Sequence, residues 1–168
     1  MRKHALAPVA AAILLAAAGA AQAASATTTF RVTADVAGNC RVSASDLVFG
    51  SYIAGTPLAG QSAVKVRCTT GTAYAVKLSA GTSLSLAQRT MKNGTNSLNY
   101  NLFADSGHTS IWGDGATAST VNRTGTGTGL SALAEATFDV YGLVPDTAAN
   151  QDAAPGSYLD TITVSVDY

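Results

Sequence analysis

Apolar and polar positions alternate with a period of two along most of this chain. In the stretch ATTTFRVTADVAGNC, Ala26 to Cys40, one parity holds Thr28, Phe30, Val32, Ala34 and Val36; the other holds Thr29, Arg31, Thr33 and Asp35. Such alternation marks a strand with one buried face. Asn39 to Ser43 and Asp46 to Gly50 read as short strand pieces around a Ser-Ala-Ser turn. Further on, Val64, Val66 and Cys68 face one way while Lys65 and Arg67 face the other. Tyr74, Val76 and Leu78 share a face, as do Leu98, Tyr100 and Leu102 in Ser97 to Ala104, and Phe138 and Val140 in Ala136 to Leu143. Turn signals at Gly55-Thr-Pro57, Lys92-Asn-Gly94, Gly113-Asp-Gly115, Pro145-Asp146 and Pro155-Gly156 separate these runs. Short strands so punctuated predict an all-β sandwich or barrel. Leu84 to Gln88 has room for one helical turn, and Ala104 to Ala136 reads as a surface loop, with room for a small hairpin. Trp112, Phe49, Tyr74 and Tyr100 read as core aromatics.

The last run alternates most cleanly. Tyr158, Asp160, Ile162, Val164, Val166 and Tyr168 lie on one parity, and Leu159, Thr161, Thr163, Ser165 and Asp167 on the other. Ile162, Val164, Val166 and Tyr168 form an apolar row with no further strand after it. An unpartnered edge is expected there, an aggregation hazard if left bare. The alternating strand at Thr28 to Val36 equally lacks a local mate.

The first residues add a compartment. Met1-Arg-Lys-His4 is a positive start, Leu6 to Ala20 an alanine-rich apolar run, and Ala21-Gln-Ala23 an A-x-A cleavage site. This is the pattern of a secretory signal peptide, cut between Ala23 and Ala24. The apolar run is shorter than the roughly 20 residues of a membrane-spanning helix, so no transmembrane segment is expected in the mature chain. Of 168 residues, 145 remain after removal of 23, the length of one domain. The 10 Lys and Arg less Arg2 and Lys3 leave 8, against 10 Asp and Glu, without a basic stripe. Nucleic acid is therefore a poor partner. The only cysteines, Cys40 and Cys68, are even in number and exported, which predicts a disulfide closing a loop of about 29 residues.

Candidate chemistry is sparse. His108 is the mature chain's single histidine and no G-x-S-x-G elbow accompanies it, so a solvent-exposed loop residue is expected rather than a triad member. Asp114 lacks the spaced oxygens of a calcium loop and reads as a turn residue. Gly125-Thr-Gly-Thr-Gly129 lacks the lysine and helix of a phosphate loop. Asn93-Gly-Thr95 and Asn122-Arg-Thr124 match a glycosylation sequon, a pattern that arises often by chance. No enzyme activity, metal or cofactor is expected.

Taken together, several motifs resemble the spore coat protein U domain family, the subunits of Csu-type archaic chaperone–usher pili. They are Thr29-Phe-Arg-Val32, Asn39-Cys-Arg-Val42, Leu47-Val-Phe-Gly50 with Tyr52, Val66-Arg-Cys-Thr69 with Gly71, and Tyr74-Ala-Val-Lys-Leu78. Arg89-Thr-Met91, Leu98-Asn-Tyr-Asn-Leu102, Trp112-Gly-Asp-Gly115 and Gly156-Ser-Tyr-Leu-Asp160 before Ile162-Thr-Val164 complete the set. The resemblance implies an incomplete immunoglobulin-like sandwich missing its last strand, residues 38–168, preceded by a donor-strand extension, residues 24–37, and the leader, residues 1–23. It implies partners: a periplasmic chaperone, an outer-membrane usher, and other copies or related pilus subunits. The implied product is a cell-surface fimbria supporting adhesion and biofilm. Thr28, Phe30, Val32, Ala34 and Val36 would be the donor row, and Ile162, Val164, Val166 and Tyr168 the acceptor edge. A coat protein of the same fold, or a minor or adaptor pilus subunit, remains the alternative.

Overall fold

The computed structural model describes residues 23–117 and 119–168. The expected leader, apart from Ala23, lies outside them. The chain divides into two units, Met1–Asp35 and Val36–Tyr168. The described part of the first, residues 23–35, carries neither strand nor helix; Phe30 is 86% exposed and Val32 80%.

The second unit turns the alternating runs into eight strands: β1 Cys40–Ala44, β2 Leu58–Cys68, β3 Ala73–Leu78, β4 Arg89–Asn93, β5 Asn96–Phe103, β6 Arg123–Thr126, β7 Ala136–Val144 and β8 Val164–Asp167. A one-turn helix, α1 Ala148–Gln151, interrupts them after β7. They form a five-stranded sheet in the order β1-β2-β7-β5-β4 and a three-stranded sheet in the order β6-β3-β8, with every pairing antiparallel. Val64, Val66, Tyr100, Leu102, Val140 and Val144 from the first sheet meet Tyr74, Val76 and Leu78 from the second in one core. This is the two-layer packing that strands with one apolar face require.

Cys40 lies opposite Cys68 in the β1–β2 register, and the two are bonded 28 residues apart. A closed loop of that size removes about 3.5 kcal/mol of unfolded-state freedom. Replacing both cysteines with alanine is therefore expected to lower the unfolding free energy by about that amount in urea denaturation. A loss below about 1 kcal/mol would show that the link constrains nothing.

Three local expectations are corrected. Asp46 to Gly50 is not a ladder strand, and Leu84 to Gln88 forms no helical turn. In the first case the parity shifts after Ala44: Leu47 and Phe49 turn inward and lie over Gly60 and Gly142, which face each other in β2 and β7. A Cβ at Gly142 would sit 2.7 Å from Phe49. The two glycines thus open a notch for these side chains, which holds the backbone of the segment off the edge of β2. The third correction concerns the final strand, whose ladder covers only Val164–Asp167. Tyr158, Asp160, Ile162, Val164 and Val166 are half-buried as the parity predicts, but Tyr168 is 62% exposed and leaves the apolar row.

The irregular region after β5 is more ordered than a surface loop. Trp112 is fully buried, donates its indole N–H to Val76 O at 3.1 Å, and packs edge-on against Phe138. The Gly-Thr repeat becomes β6. Its glycines are needed because Gly125 passes over the Tyr74 hydroxyl and Gly127 over the carbonyls of Cys68 and Thr69.

Candidate functional site: an open groove between two unpaired edges

The final segment changes sheets. Leu159 exchanges backbone hydrogen bonds with Lys92 at the edge of β4, 2.8 and 3.0 Å. Four residues later Ser79 N–H donates to Thr163 O at 3.0 Å, and β8 then pairs with β3. The segment therefore closes one end of the sandwich. It presents a second, unpaired side, because β8 is the last strand of its sheet. Tyr158, Asp160 and Ile162 make no backbone hydrogen bond among the described residues.

Facing it is the extended run that follows β1. Among the described residues, no backbone hydrogen bond is formed by Asp46 to Tyr52. The run is held at its far end instead, where the Tyr52 hydroxyl and Gly55 N–H donate to Asp146 at 2.7 and 2.9 Å. That hydrogen bond, burial and the carboxylate charge push the Tyr52 hydroxyl up to about 12, and the same bond first among several holds Asp146 below its ordinary value.

Between the two segments lies a groove of about 1030 Å³. Residues 44–52, 153–162 and Val164 form its walls; Val64, Leu98, Tyr100, Leu102, Val140 and Val144 form its floor. Val48, Ile53 and Leu159 stand exposed around it. Buried backbone donors and acceptors need partners, and an apolar floor of this kind is ordinarily covered. The backbone is thus unpaired on both sides of the groove, along β8 and the residues before it and along Asp46–Tyr52.

Half of the expected acceptor edge lies here, with Ile162 and Val164 lining the groove. Val166 lies further along β8, and Tyr168 lies beyond that strand. Three features went unread in the sequence. Arg89, wholly buried, donates to Ser79 O, Asn101 Oδ1 and Trp112 O at 2.9, 2.6 and 2.8 Å. Asn150, buried at the end of α1, accepts from Asn99 N–H and donates to Asn99 O and Pro145 O. Tyr100 donates to Asp160 across the groove floor at 2.5 Å. Burial first, and then that bond, push the Tyr100 hydroxyl up.

No catalytic constellation assembles among the described residues. His108 is half-buried, not solvent-exposed: its ring stands edge-on to Phe103 at 5.2 Å, and its side chain makes no hydrogen bond among the described residues. Asp114 serves its turn, accepting from Ala116 N–H, Thr117 N–H and both threonine hydroxyls at 117 and 120, which hold its carboxyl well below the usual range. No group of three metal-ligating side chains occurs, and no helix is long and apolar enough to cross a membrane, among the described residues.

The family described as Spore Coat Protein U domain matches residues 26–165. No curated protein matches the sequence. Among solved structures, the chain is similar to one in the crystal structure of the CsuC–CsuE chaperone–tip adhesion subunit pre-assembly complex from archaic chaperone–usher Csu pili of Acinetobacter baumannii. Identity is 26% and the TM-score 0.57, over 79% of this chain and 40% of that one. The chain thus spans less than half the length of that relative.

Proposed function

The chain belongs to the spore coat protein U domain family, and on that premise we propose that it is a structural subunit of a surface pilus that polymerises head to tail by donor-strand exchange. The observation that carries this reading is the open groove with unpaired backbone on both walls. The proposed occupant is the alternating segment Thr28–Val36 of another copy, which supplies both what the groove lacks: backbone groups for two ladders and an apolar row for the floor. Residues 24–37 are then the donor extension and residues 38–168 the acceptor domain, exposed after cleavage between Ala23 and Ala24.

Joining one copy's extension to the next copy's groove is a heterologous contact. It never closes on itself, so it builds a fibre. A bare groove would aggregate. A periplasmic chaperone therefore covers the groove until an outer-membrane usher presents the next extension. The similarity to a chain of a chaperone–subunit pre-assembly complex supports this order of events. The function is structural. The free energy of completing the sandwich, released at assembly, replaces any catalysed step.

Deleting Ala24 to Val36 from the copy in the producing cell tests the reading. Electron microscopy is expected to find the surface bare of this subunit's fibres while the folded domain still accumulates. Normal fibres from the shortened chain would overturn it.

A further inference from the structure

Along the final segment Tyr158, Asp160, Ile162 and Val164 line the groove, and Val166 continues the same parity further along β8. Of these five, four are apolar or aromatic and one is charged. The Asp160 carboxylate is fully engaged, accepting from the Tyr100 hydroxyl at 2.5 Å and from Thr82 and Thr161 N–H, each at 2.8 Å. Tyr100 belongs to β5 and Asp160 to the segment crossing from β4 toward β8, so their bond is a strut that ties the crossing segment to the five-stranded sheet. Both residues line the groove. At this position the groove floor is polar and its hydrogen bonds are already taken by the strut; beside it the floor is formed by apolar Val64, Leu98, Leu102, Val140 and Val144, while Asn150, Gln151 and Ser157 add further polar lining.

The proposed donor also has one exceptional position. Of Thr28, Phe30, Val32, Ala34 and Val36, only Ala34 has a side chain as small as a methyl group. A larger apolar chain above the strut would have to displace it or strip its hydrogen bonds, and displaced buried polar groups are costly to leave unpaired. Resting on the reading of the groove as a strand acceptor, we propose that the Tyr100–Asp160 strut is a register-determining element, which takes Ala34 of the incoming copy.

Direction follows from Phe30, the bulkiest member of the row. With Ala34 over the strut, a strand parallel to β8 would bring Phe30 beside Gly156, near Asn150, Gln151 and Ser157. An antiparallel strand brings Phe30 beside Val164, where Val64, Leu78 and Leu102 line the groove. Apolar burial selects the second. Val36 then lies by Tyr158, Val32 by Ile162 and Thr28 by Val166. On the outer face Thr33 stands opposite Thr161, Arg31 opposite Thr163 and Asp35 opposite Leu159, so no like charges meet. A slip of two residues in either direction would place a valine on the strut.

Cysteine pairs in the full-length chain, assembled into fibres by the producing cell, read this register. Directly opposed residues come within disulfide reach, and neighbours displaced by two do not. Cys40 and Cys68 are already bonded to each other. The double variant Thr33→Cys with Thr161→Cys is expected to give a covalent ladder of multimers on non-reducing gels. Thr33→Cys with Leu159→Cys, or with Thr163→Cys, is expected to give none. A ladder from either control pair, with Thr33–Thr161 silent, would overturn the register while leaving the groove as the acceptor. Fibres in which none of the three pairs links would overturn the donor reading and the register together.

Discussion

Val32→Asp is expected to abolish fibres without unfolding the subunit. Val32 is 80% exposed in the single chain, so a carboxylate there meets water and the unfolding midpoint stays unchanged. In the proposed fibre, the same position would lie at the centre of the donor row. Burying Phe30, Val32, Ala34 and Val36 supplies about 5 kcal/mol of apolar stabilisation, before the cost of ordering the segment. An unpaired carboxylate in the groove costs several kcal/mol, about as much as the whole row contributes. Thr33→Asp, one residue on and facing out, is the control and assembles normally. Electron microscopy counts the fibres, and urea denaturation of the purified subunit reads the midpoint. Fibres from Val32→Asp, or equal damage from Thr33→Asp, would show that parity does not govern the contact.

Arg89→Met is expected to act in the opposite way, on the fold itself. The guanidinium is wholly buried and satisfied by acceptors from three places: Ser79 after β3, Asn101 in β5, and the Trp112 carbonyl. Asn101 carries the network on, donating to Ala87 O at 2.8 Å. Methionine fills most of the space but donates nothing, leaving buried acceptors without a partner at a cost of about 3 kcal/mol or more. Arg89→Lys keeps the charge, yet one ammonium does not reproduce the planar fork that reaches three separated oxygens. Its loss should fall between wild type and Arg89→Met in the same denaturation experiment. An Arg89→Met midpoint equal to wild type would mean that the network contributes nothing to holding the layers together.

The strands legible in the sequence were those with one wet face. There, a two-residue period is a direct consequence of the pleat, and Lys65 and Arg67 alternating with Val64, Val66 and Cys68 needed no further context. The misread places are those where a side chain answers to a distant partner. The region around Trp112 is rich in glycine, threonine and serine and reads as loop, although Trp112 itself reads as a core aromatic; what orders the region is its burial and the Val76 carbonyl that takes its N–H. Asp46 to Gly50 keeps strand alternation without strand pairing, because Leu47 and Phe49 follow the notch at Gly60 and Gly142. Arg89 and Asn150 are polar types usually found outside. Nothing nearby in sequence announces the acceptors that keep them inside.

What the sequence determined by itself was the parity of the strands with one wet face and the disulfide partners, and it singled out Thr28–Val36 and Ile162–Tyr168 as alternating runs in want of a further mate. Each rests on local pattern or on counting, and survives without knowledge of what packs where. The tertiary structure decided that the final run crosses from β4 to β3, that Asp46–Tyr52 stands opposite it with its backbone unpaired, and that a strut from Tyr100 to Asp160 interrupts the groove between them. Those are relations between residues up to about a hundred positions apart. They arise only when two sheets are stacked, because stacking determines which edges are left open and which polar groups must find each other in the core.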